Sequence, residues 1–243
     1  TGDFVSIAVD NLDNVYTVNG RNQLKKFDAR GDSIAVYNDV KQFGKATLID
    51  VSNPLKILLY YRDYATIVEL DRFLNPVNVI DLRKLNIFQA RVVGQSYDNM
   101  VWVYDELEHK LKKVNAQGKL IQETADFRLV LGKAITPVRI FDENRYVYVY
   151  DQQHGAYVFD YFGTLRNNIL LQNWDNFSVS GKFIYGSRGD TIFRYEIRTF
   201  RLDEWKMPAA ISGSEAFRFS SSKLYALRKN PDGTASIYIY SML

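Results

Sequence analysis

Three observations predict an all-β chain folded as a six-bladed β-propeller. A strand, a tight turn and a returning strand recur with a period of about 40 residues, the mark of a solenoid or propeller array. Each period has room for four short strands, the content of one propeller blade. The strongest strand of every period is apolar on both faces, as blades stacked around an axis require.

The recurring unit is clearest in Leu24-Lys25-Lys26-Phe27-Asp28-Ala29-Arg30-Gly31-Asp32-Ser33-Ile34. It is written again from Leu111 through Asn115 and Gly118 to Ile121, and from Ala156 through Asp160 and Gly163 to Leu165. Asp or Asn at the first turn position and Gly at the fourth mark a type I turn: the side-chain oxygen caps the turn, and Gly tolerates positive φ. Two copies are degraded, with Leu74 in the Gly position after Asp71 and Thr199 in that position after Glu196. A last copy, Ile237–Ser241, stops two residues before the end of the sequence. The anchors at 28, 71, 115, 160, 196 and 241 are spaced by 43, 44, 45, 36 and 45 residues.

Within each period the elements follow in order. The first strands are Val5–Val9, Thr47–Val51, Arg91–Val93, Val138–Phe141, Phe177–Val179 and Phe217–Phe219. Polar turns such as Asn11–Asn14 lead to the strongest strands: Val15–Val18, Ile57–Tyr61, Val101–Tyr104, Tyr146–Tyr150, Phe183–Tyr185 and Leu224–Leu227. In several of these Val alternates with Tyr or Trp. The third strand is half polar, as in Leu24–Phe27, which suits a position farther from the axis. The fourth is apolar again at Ser33–Tyr37, Val77–Ile80 and Lys119–Gln122. Longer connections at 38–45, 82–89, 124–137 and 208–215 join the periods, and Leu82, Leu85 and Phe88 fit one helical turn. The sixth period ends at its third strand. Only Thr1-Gly2-Asp3-Phe4 precede the first strand, too few for the usual strand of about 5–6 residues. The last blade is therefore expected to be three-stranded, with Ser236–Tyr240 as an exposed edge open to association.

Composition sets the class. With 47% hydrophobic and 24% charged residues the chain is an ordinary globular sequence, and its 17 Tyr and 15 Phe favour strands. Residues 1–243 form one domain, because a single blade cannot bury both of its faces. A net charge of +3, spread over all periods, does not predict nucleic-acid binding. No cysteine occurs, so there is no disulfide framework. No apolar run approaches the roughly 20 residues that cross a bilayer. The sequence starts at Thr-Gly-Asp without Met, from which an extracytoplasmic location (periplasmic, cell-surface or secreted) is expected.

Hydrophobic strands followed by Asp-x-x-Gly turns at this spacing resemble the six-bladed propellers of the NHL-repeat and TolB-like groups, over essentially the whole chain. The resemblance implies fold more than function, since such propellers serve as lyases, lactonases, sugar or peptide binders and scaffolds. Propellers of this kind bind at the face made by the second-to-third-strand loops and the inter-blade connections. Four of the six loops carry an arginine near their start: Arg21, Arg62, Arg188 and Arg228. In a closed ring these belong to blades 5, 6, 1 and 2, which are contiguous. Tyr64, Glu106, His109, His154 and Asp190 complete the expected binding face.

Candidates for chemistry are few. His109 and His154 are 45 residues apart, in equivalent loops of adjacent blades, near Asp105, Glu106, Glu108 and Asp151. Imidazole and carboxylate together ligate divalent metals, but ligands converge to about 2.0–2.2 Å of the ion, whereas one blade of separation is roughly 10 Å or more. No metal and no cofactor are expected. Asp50 and Asp142 follow first strands and are the inward carboxylates a lactonase-like site would use; capping of the next turn accounts for them more simply. No Gly-x-Ser-x-Gly or His-Glu-x-x-His motif occurs. The reading that results is a non-catalytic binding or scaffolding module for a protein or peptide. The alternatives are a metal-dependent hydrolase or lyase with an axial site, and a carbohydrate-binding module. Three or more converging carboxylate, amide or His ligands in the pore mark the enzyme; an apolar or Arg-rimmed pore marks the binder.

Overall fold

The computed structural model describes residues 1–38, 40–220 and 223–241. Each period folds as an antiparallel meander, and six such sheets form six blades. Blade 1 holds β1 (Phe4–Val9), β2 (Val15–Asn19), β3 (Leu24–Phe27) and β4 (Ser33–Tyr37). Blade 2 holds β5 (Leu48–Asn53), β6 (Lys56–Tyr61), β7 (Thr66–Asp71) and β8 (Pro76–Asp81). Blade 3 holds β9 (Ala90–Gln95), β10 (Val101–Asp105), β11 (Lys110–Val114) and β12 (Leu120–Glu123). Blade 4 holds β13 (Arg139–Glu143), β14 (Tyr146–Asp151), β15 (Gly155–Asp160) and β16 (Leu165–Ile169). Blade 5 holds β17 (Asp175–Ser180), β18 (Phe183–Arg188), β19 (Thr191–Glu196) and β20 (Arg201–Lys206). Blade 6 has three strands, β21 (Ala216–Phe219), β22 (Lys223–Lys229) and β23 (Ala235–Ser241). The three-stranded last blade agrees with the expectation from sequence.

The first strands pack against one another around the axis, and β21 packs against β1 to close the ring. Second strands such as Val101–Asp105 are buried along their whole length, which explains why they lack an apolar–polar alternation. Fourth strands lie outermost and are largely exposed in spite of their apolar residues. The helical turn foreseen at Leu82 is a 3₁₀ turn, Leu82–Leu85, capped by the Asp81 side chain. Two short helices that the sequence did not disclose, α1 (Val40–Phe43) and α2 (Phe127–Leu131), sit in inter-blade connections.

The third strands refine the expectation of a half-polar face. Lys26, Lys112 and Lys113 are buried, and each spends its charge on a fixed partner. Lys26 Nζ donates to the Arg72 carbonyl of the next blade at 3.0 Å. Lys112 pairs with Asp105 at 2.8 Å and Lys113 with Asp98 at 2.6 Å. Such cations bury their aliphatic stems against neighbours and set their ammonium groups on polar partners.

Tyrosines strap one blade to the next. Tyr60, Tyr104 and Tyr150 occupy matching positions near the ends of their second strands, and their hydroxyls donate to the carbonyls of Ala90, Ile135 and Trp174. Burial pushes the Tyr60 and Tyr150 phenols up to about 12, so they remain donors. Blades 3 and 4 approach so closely that a Cβ on Gly94 would stand 2.8 Å from the Ile140 carbonyl.

Candidate functional site

A meander in which every first strand runs the same way puts the second-to-third-strand turns and the inter-blade connections on one face. The sequence-predicted residues all lie there. Asn19 Oδ1 accepts from the amides of Arg21 and Gln23, which holds the β2–β3 turn and leaves the Arg21 side chain exposed. Arg62 Nη2 reaches the Arg91 carbonyl of blade 3 at 2.7 Å. Tyr64 is exposed and set edge-on to Phe43. Arg188 ends β18 and lies over the Phe193 ring at 5.3 Å, while Arg228 is exposed near the end of β22. Among the described residues Arg21, Arg62, Arg188 and Arg228 form no ion pair, whereas Glu106 is paired with Arg91 at 2.7 Å. Asp190 caps the blade edge through its carbonyl, which accepts from Met207 N.

The structure does not bring the histidines together with carboxylates as a ligand set. Among the described residues, no three His, Asp or Glu side chains are grouped to hold a metal. His154 Nδ1 sits 3.0 Å from Asp151 Oδ1. His109 Nδ1 lies 3.4 Å from the Tyr104 hydroxyl. Asp151 is wholly buried, yet amide donation from Thr136, His154 and Gln153 outweighs burial and holds it below the usual carboxylate range.

Asp50 bears out the turn-cap reading and adds a second role, whereas Asp142 departs from it. Asp50 does cap its turn, accepting from Ser52 N at 2.9 Å, but its other oxygen accepts from Gln95 N of blade 3 at 2.7 Å. Asp142 caps nothing in its own turn. It accepts from Ser96 Oγ at 2.9 Å, Tyr97 N at 3.2 Å, Trp102 Nε1 at 2.9 Å and Tyr161 Oη at 2.6 Å. Both carboxylates are clasps between blades. Donors from two blades engage each of them.

The axial channel holds side chains that sequence reasoning passed over. Pairing with the second strands sets Ala8, Asp50, Gly94, Phe141, Ser178 and Arg218 at one level, opposite Tyr16, Leu58, Trp102, Tyr148, Tyr185 and Tyr225. Arg139 stands two residues nearer the mouth, on the same side of its strand as Phe141. Arg139 feels the charge of Asp50 two blades back, and Arg218 feels that of Arg139 two blades back. Neither pair of blades is adjacent, so these fields cross the axis. Arg139 is exposed to water at the start of β13, and desolvation lowers its guanidinium pKa. Desolvation, and then the neighbouring Arg139 charge, push Arg218 down to about 10. At the opposite end of β13, burial raises the Glu143 carboxyl. The signal for both arginines was on view: each is a cation inside a first strand that reads as apolar in the sequence, Val138–Phe141 and Phe217–Phe219.

No protein-family model and no curated protein matches the chain. Solved structures do. Virginiamycin B lyase from Staphylococcus aureus superposes with a TM-score of 0.63 at 13% identity, over 100% of this chain and 85% of that one. The Pan2 WD40 domain of Neurospora crassa gives 0.64 at 9% identity, over 99% and 89%. The β-propeller domain of Cps50 (Swd1) from Myceliophteria thermophila gives 0.66 at 9%, over 99% and 83%. The likeness is one of fold. It supports the six-bladed propeller and does not single out the NHL-repeat or TolB-like groups, since a lyase, a WD40 domain and a β-propeller domain superpose about equally well.

Proposed function

We propose that this propeller is a non-catalytic binding module that presents its channel-mouth face to a protein or peptide. The observation that carries the reading is the channel itself, to which Arg139 and Arg218 contribute, while among the described residues no three His, Asp or Glu side chains are grouped to hold a metal. Arginine is the residue suited to planar, bidentate recognition of an acidic partner. The unpaired Arg21, Arg62, Arg188 and Arg228 surround the same mouth, so their field adds to that of the channel. Two of the structural likenesses are a WD40 domain and a β-propeller domain, which fits a scaffold without naming a partner.

A second reading rests on Glu143. A carboxyl raised by burial in an axial channel is a recognised mark of acid–base chemistry. One of the structural likenesses is a lyase, and a H270A form of it is catalytically inactive. Here His109 and His154 are held by Tyr104 and Asp151 in turns of the mouth face, whereas Glu143 ends its strand at the other end of the channel.

Capture of the native partner by the immobilised propeller tests the binding reading. R21E together with R188E should reduce capture severalfold with the melting temperature unchanged. R72E, the same charge reversal on the opposite face, should leave capture intact. Capture lost in R72E but kept in R21E/R188E would assign the partner to the other face.

A further inference from the structure

Arg139 and Arg218 are two cations confined to one channel, and among the described residues neither forms an ion pair with a carboxylate. Arg139 Nη1 donates to the Val138 carbonyl at 2.9 Å. Arg218 Nη1 donates to the Phe217 carbonyl at 2.6 Å and to Asn176 Oδ1 at 3.3 Å. A guanidinium carries five N–H donors, so most of the capacity of both groups has no protein acceptor. Asp50, the acid whose field reaches Arg139, is already committed to Ser52 and Gln95.

The surroundings fix these groups in place. Asn176 belongs to β17, the strand between the two arginine-bearing strands. Its Oδ1 also accepts from Phe217 N at 3.2 Å, and its Nδ2 donates to Ser187 Oγ at 3.1 Å. The amide is thus locked in the orientation that receives Arg218, and Asn176 acts as a positioning residue. On the same strand Ser178 stands level with Arg218, and among the described residues its buried hydroxyl has no hydrogen-bond partner. Buried hydroxyls are ordinarily satisfied, so an orphan beside two unmatched cations needs an explanation.

We propose that the axial channel is a binding site for an oxyanion, a carboxylate or phosphate group, held between the guanidinium groups of Arg139 and Arg218 and completed by the Ser178 hydroxyl. Charge-assisted bonds from planar guanidiniums suit paired oxygens of this kind. Confinement of two like charges disfavours the empty channel, and an anion removes that penalty on binding. Burial first, and the Arg139 charge second, depress the Arg218 guanidinium pKa. This inference rests on the reading of the channel as a binding site, and it names the group that enters it.

Titration with inorganic phosphate and, separately, with succinate tests it, followed by calorimetry and by melting temperature, with chloride at matched ionic strength as the control. Saturable binding of at least one probe is expected, with a rise in melting temperature, because a ligand bound only to the native state stabilises it. R139Q or R218Q alone should weaken binding by about tenfold, the scale of one charge-assisted contact, and the double variant should abolish it. Preference for phosphate assigns a phosphate-bearing ligand; preference for succinate assigns a carboxylate, free or carried by a peptide. Removal of either cation relieves like-charge crowding, so the variants should melt no lower than the parent without anion, and lost binding will not reflect unfolding. The proposal is overturned if neither probe binds beyond the chloride control, or if R139Q/R218Q binds as the parent does. R21E/R188E keeps both channel arginines, so anion binding and partner capture are read separately and either can fail alone.

Discussion

Asp142 shows how much of this ring depends on single side chains. Four donors from three stretches of chain converge on it, two of them on the buried residues Ser96 and Trp102. Above the four lies a stack of Tyr97 on Tyr161 at 4.4 Å, with Lys113 set over both rings and over Trp102. Replacement by alanine strands buried donors, each of which costs about 1–3 kcal/mol, so D142A should lose about 2–4 kcal/mol in urea unfolding. Asparagine keeps one acceptor oxygen and should lose about half as much. Unchanged stability in D142A would mean that the clasp between blades 3 and 4 is held by packing alone. From sequence the residue read as a turn cap or a metal ligand, because its partners at 96, 97 and 102 belong to the preceding period of the repeat and Tyr161 stands 19 residues away in its own.

At the scale of the element, the strand–turn–strand unit was legible because its chemistry is local. Asp28, Asn115 and Asp160 make the same turn, with the residue three places on donating back to the anchor carbonyl. The degraded copy at Asp71 makes it too. Leu74 takes Gly's place at φ 63° and is 2% exposed, in the core shared by blades 1 and 2. Its burial outweighs the strain: a buried leucine contributes about 2–4 kcal/mol, whereas a left-handed backbone costs about 1 kcal/mol. L74G should therefore destabilise despite its better backbone fit. Phe200 supplies the contrast, at φ 60° with 67% exposure, in the blade 5 turn that is one residue longer. F200G should be neutral to stabilising by up to about 1 kcal/mol. Thermal melts of the two variants check the pair, and equal shifts in one direction would refute the balance drawn between burial and strain. What was illegible is non-local: the tyrosine straps read only as Val–Tyr alternation, and the channel arginines only as polar residues inside first strands.

Across the whole molecule, the ring has one blade unlike the others. β23 is the last strand of blade 6, its Ile239 is 53% exposed, and a cavity of about 630 Å³ lies between it and blade 1, lined by Phe4, Phe27, Lys25, Ile237 and Ile239 among others. An unpaired apolar edge is a template for another strand. Sedimentation should show weak, concentration-dependent association that I239K removes; association unchanged in I239K would move the contact elsewhere. The join from blade 6 to blade 1 is built differently from the straps elsewhere. It consists of a small core around Ile7, Tyr225 and Leu227, the Lys223–Asp13 ion pair at 2.6 Å, and one bridge in which Gly2 and Ala235 exchange both backbone hydrogen bonds. A ring sewn with a single stitch has a seam. Amide protons report seams directly: those of Gly2 and Ala235 should exchange with solvent by local opening, well before those of β10 and β14, which are released only when the whole molecule unfolds. If all four exchange together, the circle has no weak join, and blades 6 and 1 are as firmly wed as any other pair.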